Sequence, residues 1–186
     1  MDWGRTNDYT VFVVVSDAGE VLEIDRFRGI EYSLQRARLE ALYQRHAKPT
    51  IIAEANSMGQ PVIEQLQRDG LDVKPWVTTN ASKSEAVEAL ALAFERGEIV
   101  IPNDPVLIGE LQAFEAKPLS SGLTRYAAPE GGHDDTVMAL AIAWQGRIST
   151  GSLEGQLFQL ESIPRDDFVA FDDGEVSLER PSPWRM

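Results

Sequence analysis

Gly131-Gly132-His133-Asp134-Asp135-Thr136 runs directly into Val137-Met138-Ala139-Leu140-Ala141-Ile142-Ala143-Trp144, an apolar pattern of helical type. Two carboxylates therefore stand side by side where a helix is expected to begin. A helix N-terminus carries unpaired N–H groups and a partial positive charge, so one Asp there is explained as a cap. Two in succession after a flexible glycine pair exceed what capping requires. Isolated acids recur at two other strand-associated positions, Asp2 and Glu54.

Outward from that helix, strands and helices alternate. Tyr9 to Ser16 is β-branched and apolar on both faces, a buried strand. The turn Ser16-Asp17-Ala18-Gly19 and then Val21 to Arg28, where Leu22 and Ile24 alternate with Glu23 and Asp25, make an antiparallel hairpin. Asp2-Trp3-Gly4 would end a strand beside it, with Arg5-Thr6-Asn7-Asp8 as the turn. Leu34, Ala37 and Ala41 set an amphipathic helix over 31–46, and Ile51-Ile52-Ala53-Glu54 a short strand with an acid at its end. A helix opened by Pro61 and closed by Gly70 leads to a strand over Leu71 to Val77. This order calls for parallel strands joined by right-handed crossovers.

Asn80 is the expected cap of a long helix with a Val87, Leu90, Ala91, Phe94 stripe, ended by Gly97. Ile99-Val100-Ile101 reads as a short strand stopped by Pro102, and Leu107, Leu111 and Phe114 mark a further helix. Lys117 to Leu119 and Leu123 to Ala127 form a second hairpin. The helix that starts at the paired acids is expected to close the domain near Arg147. Two regions result: a folded domain over 1–148 and an acidic, flexible tail over 149–186, where from Thr150 onward eight acids face three bases.

A chain of 186 residues has room for one domain with a sizeable core plus a tail. Without cysteine it has no disulfide, thiolate metal site or cysteine nucleophile, which suits a reducing compartment. No apolar run approaches the roughly 20 residues of a membrane span, so a soluble intracellular protein with no membrane partner is expected. The formal net charge of −13, from 17 basic and 30 acidic residues, argues against a broad electrostatic footprint for nucleic acid. Any DNA contact must run through a local patch and bound cations. The absence of GxxxxGK[ST] excludes nucleotide binding of the P-loop kind.

In an α/β sheet of this order, Asp2 on the first strand and Glu54 on the neighbouring parallel strand can project from one sheet edge, with the helix from Asp134 lying across it. Three carboxylates a few ångströms apart require cations, because like charges otherwise force proton uptake. Oxygen-only ligation favours Mg²⁺ or Mn²⁺ over zinc. Two such ions about 4 Å apart can stabilise both the attacking and the leaving oxygen of an in-line phosphoryl displacement.

Taken together, Asp2-Trp3-Gly4 with Asp8-Tyr9-Thr10, Ile51-Ile52-Ala53-Glu54, the helix start Asn80-Ala81-Ser82-Lys83 and Gly132-His133-Asp134-Asp135-Thr136 resemble the nuclease domain of tailed-phage large terminase subunits. The resemblance covers roughly residues 1–147. It implies a ribonuclease H-like α/β fold, with a mixed sheet of an antiparallel hairpin plus parallel strands flanked by helices. It also implies a Mg²⁺- or Mn²⁺-dependent, two-metal endonuclease that cuts concatemeric double-stranded DNA during packaging. An ATPase domain would precede Asp2, portal and small terminase would be partners, the isolated domain would be monomeric, and its place would be the procapsid in the host cytoplasm.

Carried over by position, Asp2, Glu54 and Asp135 match the family's catalytic metal-binding acids, and Asp134 and Asp8 match further acids close to the site. Successive helical residues point about 100° apart, so Asp134 and Asp135 do not aim at one ion equally, and Asp135 is taken as the ligand. Asp134 is then a cap, a ligand through water, or an orienter. His133 can hold a phosphate or stand as a polar loop residue. Lys83, in a helix's first turn where a cation is mildly disfavoured, would gain from a DNA phosphate, and Arg5 and Arg125 belong to the same patch. Trp3 and Trp144 read as core. Two other readings stay open: a Holliday-junction resolvase or transposase of the same fold, and a catalytically silent module whose acidic tail binds a partner.

Overall fold

The computed structural model describes residues 9–56, 59–118 and 124–161, with side chains described as far as Ser149 except at Gly59. The expectations for Asp2, Trp3, Arg5 and Asp8 lie outside the described residues. β1 (Thr10–Val15) and β2 (Val21–Phe27) pair antiparallel, with Thr10 opposite Phe27, Val13 opposite Ile24 and a bulge between Val14 and Val15. Gly19 closes their turn at φ +86°, and any side chain there would collide with the Glu98 carbonyl, so the turn tolerates glycine alone. α1 (Tyr32–Arg45), β3 (Ile51–Glu54), α2 (Gly59–Arg68) and β4 (Val73–Trp76) follow. β3 and β4 run parallel around α2, with Ile51 opposite Val73 and Glu54 opposite Trp76. α3 (Asn80–Arg96), α4 (Pro105–Ala113), the antiparallel hairpin of β5 (Glu115–Pro118) and β6 (Thr124–Ala127), and α5 (Asp135–Glu161) complete the order.

β1 shows how the layers form. Phe12 and Val14 pack with Leu39, Leu42 and Tyr43 of α1, Ile63 and Leu66 of α2, and Ile51, Ala53 and Val73. Val13 and Val15, pointing the other way, pack with Ala86, Val87, Leu90 and Ala93 of α3, Leu107 of α4, and Met138, Leu140, Ala141 and Trp144 of α5. Period-two alternation thus feeds both faces of the strand into separate apolar clusters. α5 is buried almost all round from Thr136 to Ile142, as its uninterrupted apolar run requires. Truncating a fully buried leucine such as Leu140 to alanine would cost roughly 2–5 kcal/mol.

Several sequence expectations are corrected. The buried face of α1 is Leu39, Leu42 and Tyr43, whereas Leu34, Ala37 and Ala41 lie on the exposed face. On α3 Val87 and Leu90 are buried as expected, but their companions are Ala86 and Ala93 rather than Ala91 and Phe94. Thr79, not Asn80, caps α3: its side chain accepts from Ser82 N while Ser82 Oγ accepts from Thr79 N. Ile99-Val100-Ile101 makes a single bridge, Glu20 to Val100, where a strand was expected. Pro102 has no N–H with which to extend the ladder. α5 does not stop near Arg147 but continues to Glu161.

The glycine stops hold. Gly70 and Gly97 are left-handed, and at each the two amides after the helix bond back to its last turn, Leu71 N to Leu66 O and Glu98 N to Ala93 O among them. No described helix is long and apolar enough to cross a membrane.

Candidate active site at the start of the buried helix

The approach to α5 is a tight turn. Gly131 is left-handed, and Gly132 N donates to the Pro129 carbonyl at 2.9 Å. A Cβ on Gly132 would sit 3.1 Å from that same carbonyl, so the second glycine lets the chain fold back closely enough to present His133 and Asp134. Met138 N donates to Asp134 O at 2.9 Å, which makes Asp134 the residue flanking the helix and Asp135 its first member.

Asp134 occupies the capping position but its side chain does not cap. Asp134 Oδ2 accepts instead from Lys83 Nζ at 3.1 Å, across the gap to the first turn of α3. The helix donors are satisfied from elsewhere: Glu110 Oε2 on α4 accepts from Thr136 N at 2.8 Å and from Val137 N at 3.3 Å. Glu110 is 8% exposed, and its other oxygen accepts from the Arg26 guanidinium of β2 at 3.3 Å. Arg26 in turn lies over the Tyr9 ring, 3.3 Å from its centroid, and Tyr9 meets His133 edge-on at 5.2 Å. His133 Nδ1 stands 3.5 Å from Asp135 Oδ2. Buried acid, arginine, tyrosine and histidine thus run in sequence around Asp135.

Asp135 is left unsatisfied by this arrangement. Its Oδ2 is shielded from solvent and has no hydrogen-bond partner. Burial pushes its carboxyl above the usual carboxylate range, the negative charge of Glu110 adds to the rise, His133 opposes it, Asp134 adds again and Arg26 opposes. A carboxylate oxygen shielded and without a hydrogen bond beside other acids fits a hard divalent cation, which would supply the missing partner. Among the described residues no three acids or histidines close into a metal-holding group, so Glu54, Asp134 and Asp135 do not make one by themselves. Asp2 and Asp8 are outside the described residues.

Glu54 ends β3 half-buried. By strand alternation it shares a face with Ile52, which lies against Gly146 of α5, so Glu54 belongs to the sheet face that α5 covers. Lys83, Arg125, Asn80, Tyr126, Gly132 and Asp134 line an open cleft of about 310 Å³ beside the start of α5. The structure therefore brings Lys83 and Arg125 together with Asp134, and His133 with Asp135. Trp144 is 1% exposed, in the core as expected.

Glu110 and Arg26 were missed by sequence reasoning. A signal existed for the first: Leu107, Glu110, Leu111 and Phe114 fall at i, i+3, i+4 and i+7, which puts an acid in the middle of an apolar stripe. For Arg26 the sequence carries no comparable mark.

Comparison with known proteins gives a consistent picture. The family described as the terminase RNaseH-like domain matches residues 1–145. The large terminase subunit of Thermus virus P23-45 is 34% identical over 145 residues, which are 77% of this chain and 30% of that protein. The chain thus spans less than a third of that relative's length. The crystal structure of the large terminase nuclease from thermophilic phage G20c is 34% identical, with a TM-score of 0.71, covering 77% of this chain and 78% of that one. The same nuclease with bound magnesium is 33% identical, with a TM-score of 0.72 and 77% of each chain covered. It has also been solved with bound cobalt and with bound zinc. The expected ribonuclease H-like architecture is the fold found, its described strands pairing as β1–β2, β3–β4 and β5–β6.

Proposed function

This chain belongs to the terminase RNaseH-like domain family, and from that premise we propose that it is a divalent-metal-dependent endonuclease cutting double-stranded DNA during phage genome packaging. The observation that carries the reading is the shielded Asp135 oxygen without a hydrogen bond at the head of a buried helix, next to a cleft lined by Lys83 and Arg125.

Asp135, Glu54 and Asp2 are the residues that hold Mg²⁺ or Mn²⁺ in this reading, with Asp134 and Asp8 nearby. A pair of such ions, when bound, offsets the charge that builds on the phosphate as the attacking oxygen arrives and the leaving oxygen departs. The chain supplies position and charge. α5 is fixed by burial on all sides, so Asp135 is offered from a rigid support rather than from a loop. Lys83 spends one of its three N–H donors on Asp134 and presents the others to the cleft, where a DNA phosphate fits. Arg125 and His133 flank the same path, and Arg5 belongs to it by position. With a net charge of −13 around so small a basic patch, affinity rests on few phosphate contacts and falls steeply with salt.

The chain spans 30% of the large terminase subunit it matches, and in this reading it acts within a longer large subunit, with an ATPase domain to hold the DNA and with portal and small terminase as partners. Plasmid nicking in Mg²⁺ and in Mn²⁺, with EDTA controls, tests the reading. Cleavage that requires the ion and is lost in Asp135→Asn supports it; cleavage persisting in EDTA removes it.

A further inference from the structure

α5 takes its cap from another helix. Glu110 Oε2 accepts from both Thr136 N and Val137 N, the donors that a flanking Asp ordinarily takes for itself. Asp134 stands in that flanking position, with its carbonyl already accepting from Met138 N, yet its carboxylate is turned to Lys83. Asp135, one residue on, keeps a buried oxygen with no hydrogen-bond partner. Both acids are therefore kept off the amides of α5: Asp134 is turned to Lys83, and Asp135 Oδ2 has the His133 ring nitrogen 3.5 Å away.

We propose that Glu110 is a positioning residue: a cap supplied from α4 that occupies the amides of α5 and so keeps Asp134 and Asp135 open for cation ligation. This rests on the metal-dependent reading given above. The geometry that supports it is a chain of fixed groups. Glu110 is 8% exposed, is held on its other oxygen by Arg26, and Arg26 is pinned over Tyr9. A carboxylate so restrained has both oxygens committed, one to the amides of α5 and the other to Arg26, and so stands as a cap rather than a ligand. Once it is withdrawn, Asp134 is the nearest acceptor for Thr136 N and Val137 N. Turning inward to cap the helix, Asp134 would leave Lys83 and pull the turn at His133 with it.

Two substitutions in the 186-residue chain separate reach from charge. Glu110→Gln keeps the length and an oxygen acceptor but removes the charge, while Glu110→Asp keeps the charge and withdraws the acceptor by one methylene. Mn²⁺ alone is the probe, titrated calorimetrically into folded protein. Glu110→Asp is expected to weaken Mn²⁺ binding by about tenfold or more, and Glu110→Gln to stay within about threefold of wild type, the scale seen when outer partners of metal ligands are altered. A Glu110 that merely stabilised the fold would lower the unfolding midpoint in both variants and leave the affinity of the folded protein alone. Wild-type Mn²⁺ affinity in Glu110→Asp, or equal weakening in the two variants, overturns the proposal.

Chemical denaturation without metal supplies a second, independent readout. The stability lost in Glu110→Asp should be larger when Asp134 is also changed to Ala, because the substitute cap is then gone. Strict additivity overturns the proposal whatever the metal data show. Failure of the metal-dependent reading looks different: wild type itself would not bind Mn²⁺, or Asp135→Asn would bind it equally well.

Discussion

Two helices frame the cleft, and they begin in opposite ways. α3 closes its own end: Thr79 and Ser82, three residues apart, exchange hydrogen bonds with each other's amides. α5 has two acids at its head and uses the side chain of neither, drawing on Glu110 from a different element. The difference separates what holds the fold from what the site keeps in reserve. A start that satisfies itself locally has nothing left to offer a ligand. One whose donors are satisfied from outside keeps its own carboxylates off the helix end, at the expense of holding a shielded oxygen that has no hydrogen bond.

The largest expected effect lies at the unsatisfied end. Asp135→Asn should lower metal-dependent nicking by more than about 100-fold, beyond the loss from altering an outer partner. The metal-free protein should be no less stable and can gain, since an amide carries no charge to bury. The pH dependence follows the same logic. Because the folded-state pKa of Asp135 is raised above its ordinary 3.8, the folded protein binds that proton more tightly than the unfolded chain does. Stability without metal should then decline as pH rises from about 3.8 through the raised pKa, and the decline should be reduced in Asp135→Asn. Thermal melts of both proteins across that range check it; equal slopes would erase the contrast between the two helix starts.

Next in size is the self-capped end. Thr79→Ala should cost about 1 kcal/mol, roughly fivefold in the folding equilibrium, or near 3 °C in melting temperature for a domain of this size. Cleavage should be unchanged once the protein is folded. Lys83→Ala comes third, with a severalfold slower cleavage at moderate salt and a stability change below about 1 kcal/mol, as for a partly exposed ion pair. The smallest effect sharpens the comparison most: Asp134→Ala should move metal-free stability by less than about 0.5 kcal/mol, because its side chain is not the cap. A loss as large as that of Thr79→Ala would mean that α5 caps itself after all.

Legibility in the sequence followed the range of the interactions. The first hairpin, the glycine stops and the acids at the start of α5 are marked by turn and cap residues, and the parallel β3–α2–β4 unit follows from the rule for crossovers, so each could be read. The face of α1 could not: Leu34, Ala37 and Ala41 have helical spacing just as Leu39, Leu42 and Tyr43 do, and only Phe12, Ile63 and their neighbours decide between the stripes. The cap of α3 was misplaced by one residue, although the local chemistry discriminates. Thr79 has Ser82 three residues on to answer it, whereas Asn80 would have Lys83, which has no acceptor. Glu110 was the hardest case, because its partners Thr136 and Val137 lie 26 and 27 residues ahead. Only its place in an apolar stripe hinted that it was buried.

The contact between Gly146 and Ile52 turns α5 into a ruler. The helix backbone touches the strand with no side chain of its own between them, and a methyl at 146 would run into Ile52 Cγ1. From that fulcrum to Asp135 is about 16 Å along the helix axis, and Glu54 lies two residues farther along the strand. A shim one carbon thick inserted there would be magnified toward the far ends of both elements. The alignment of the acids is in this sense machined at a glycine well away from them.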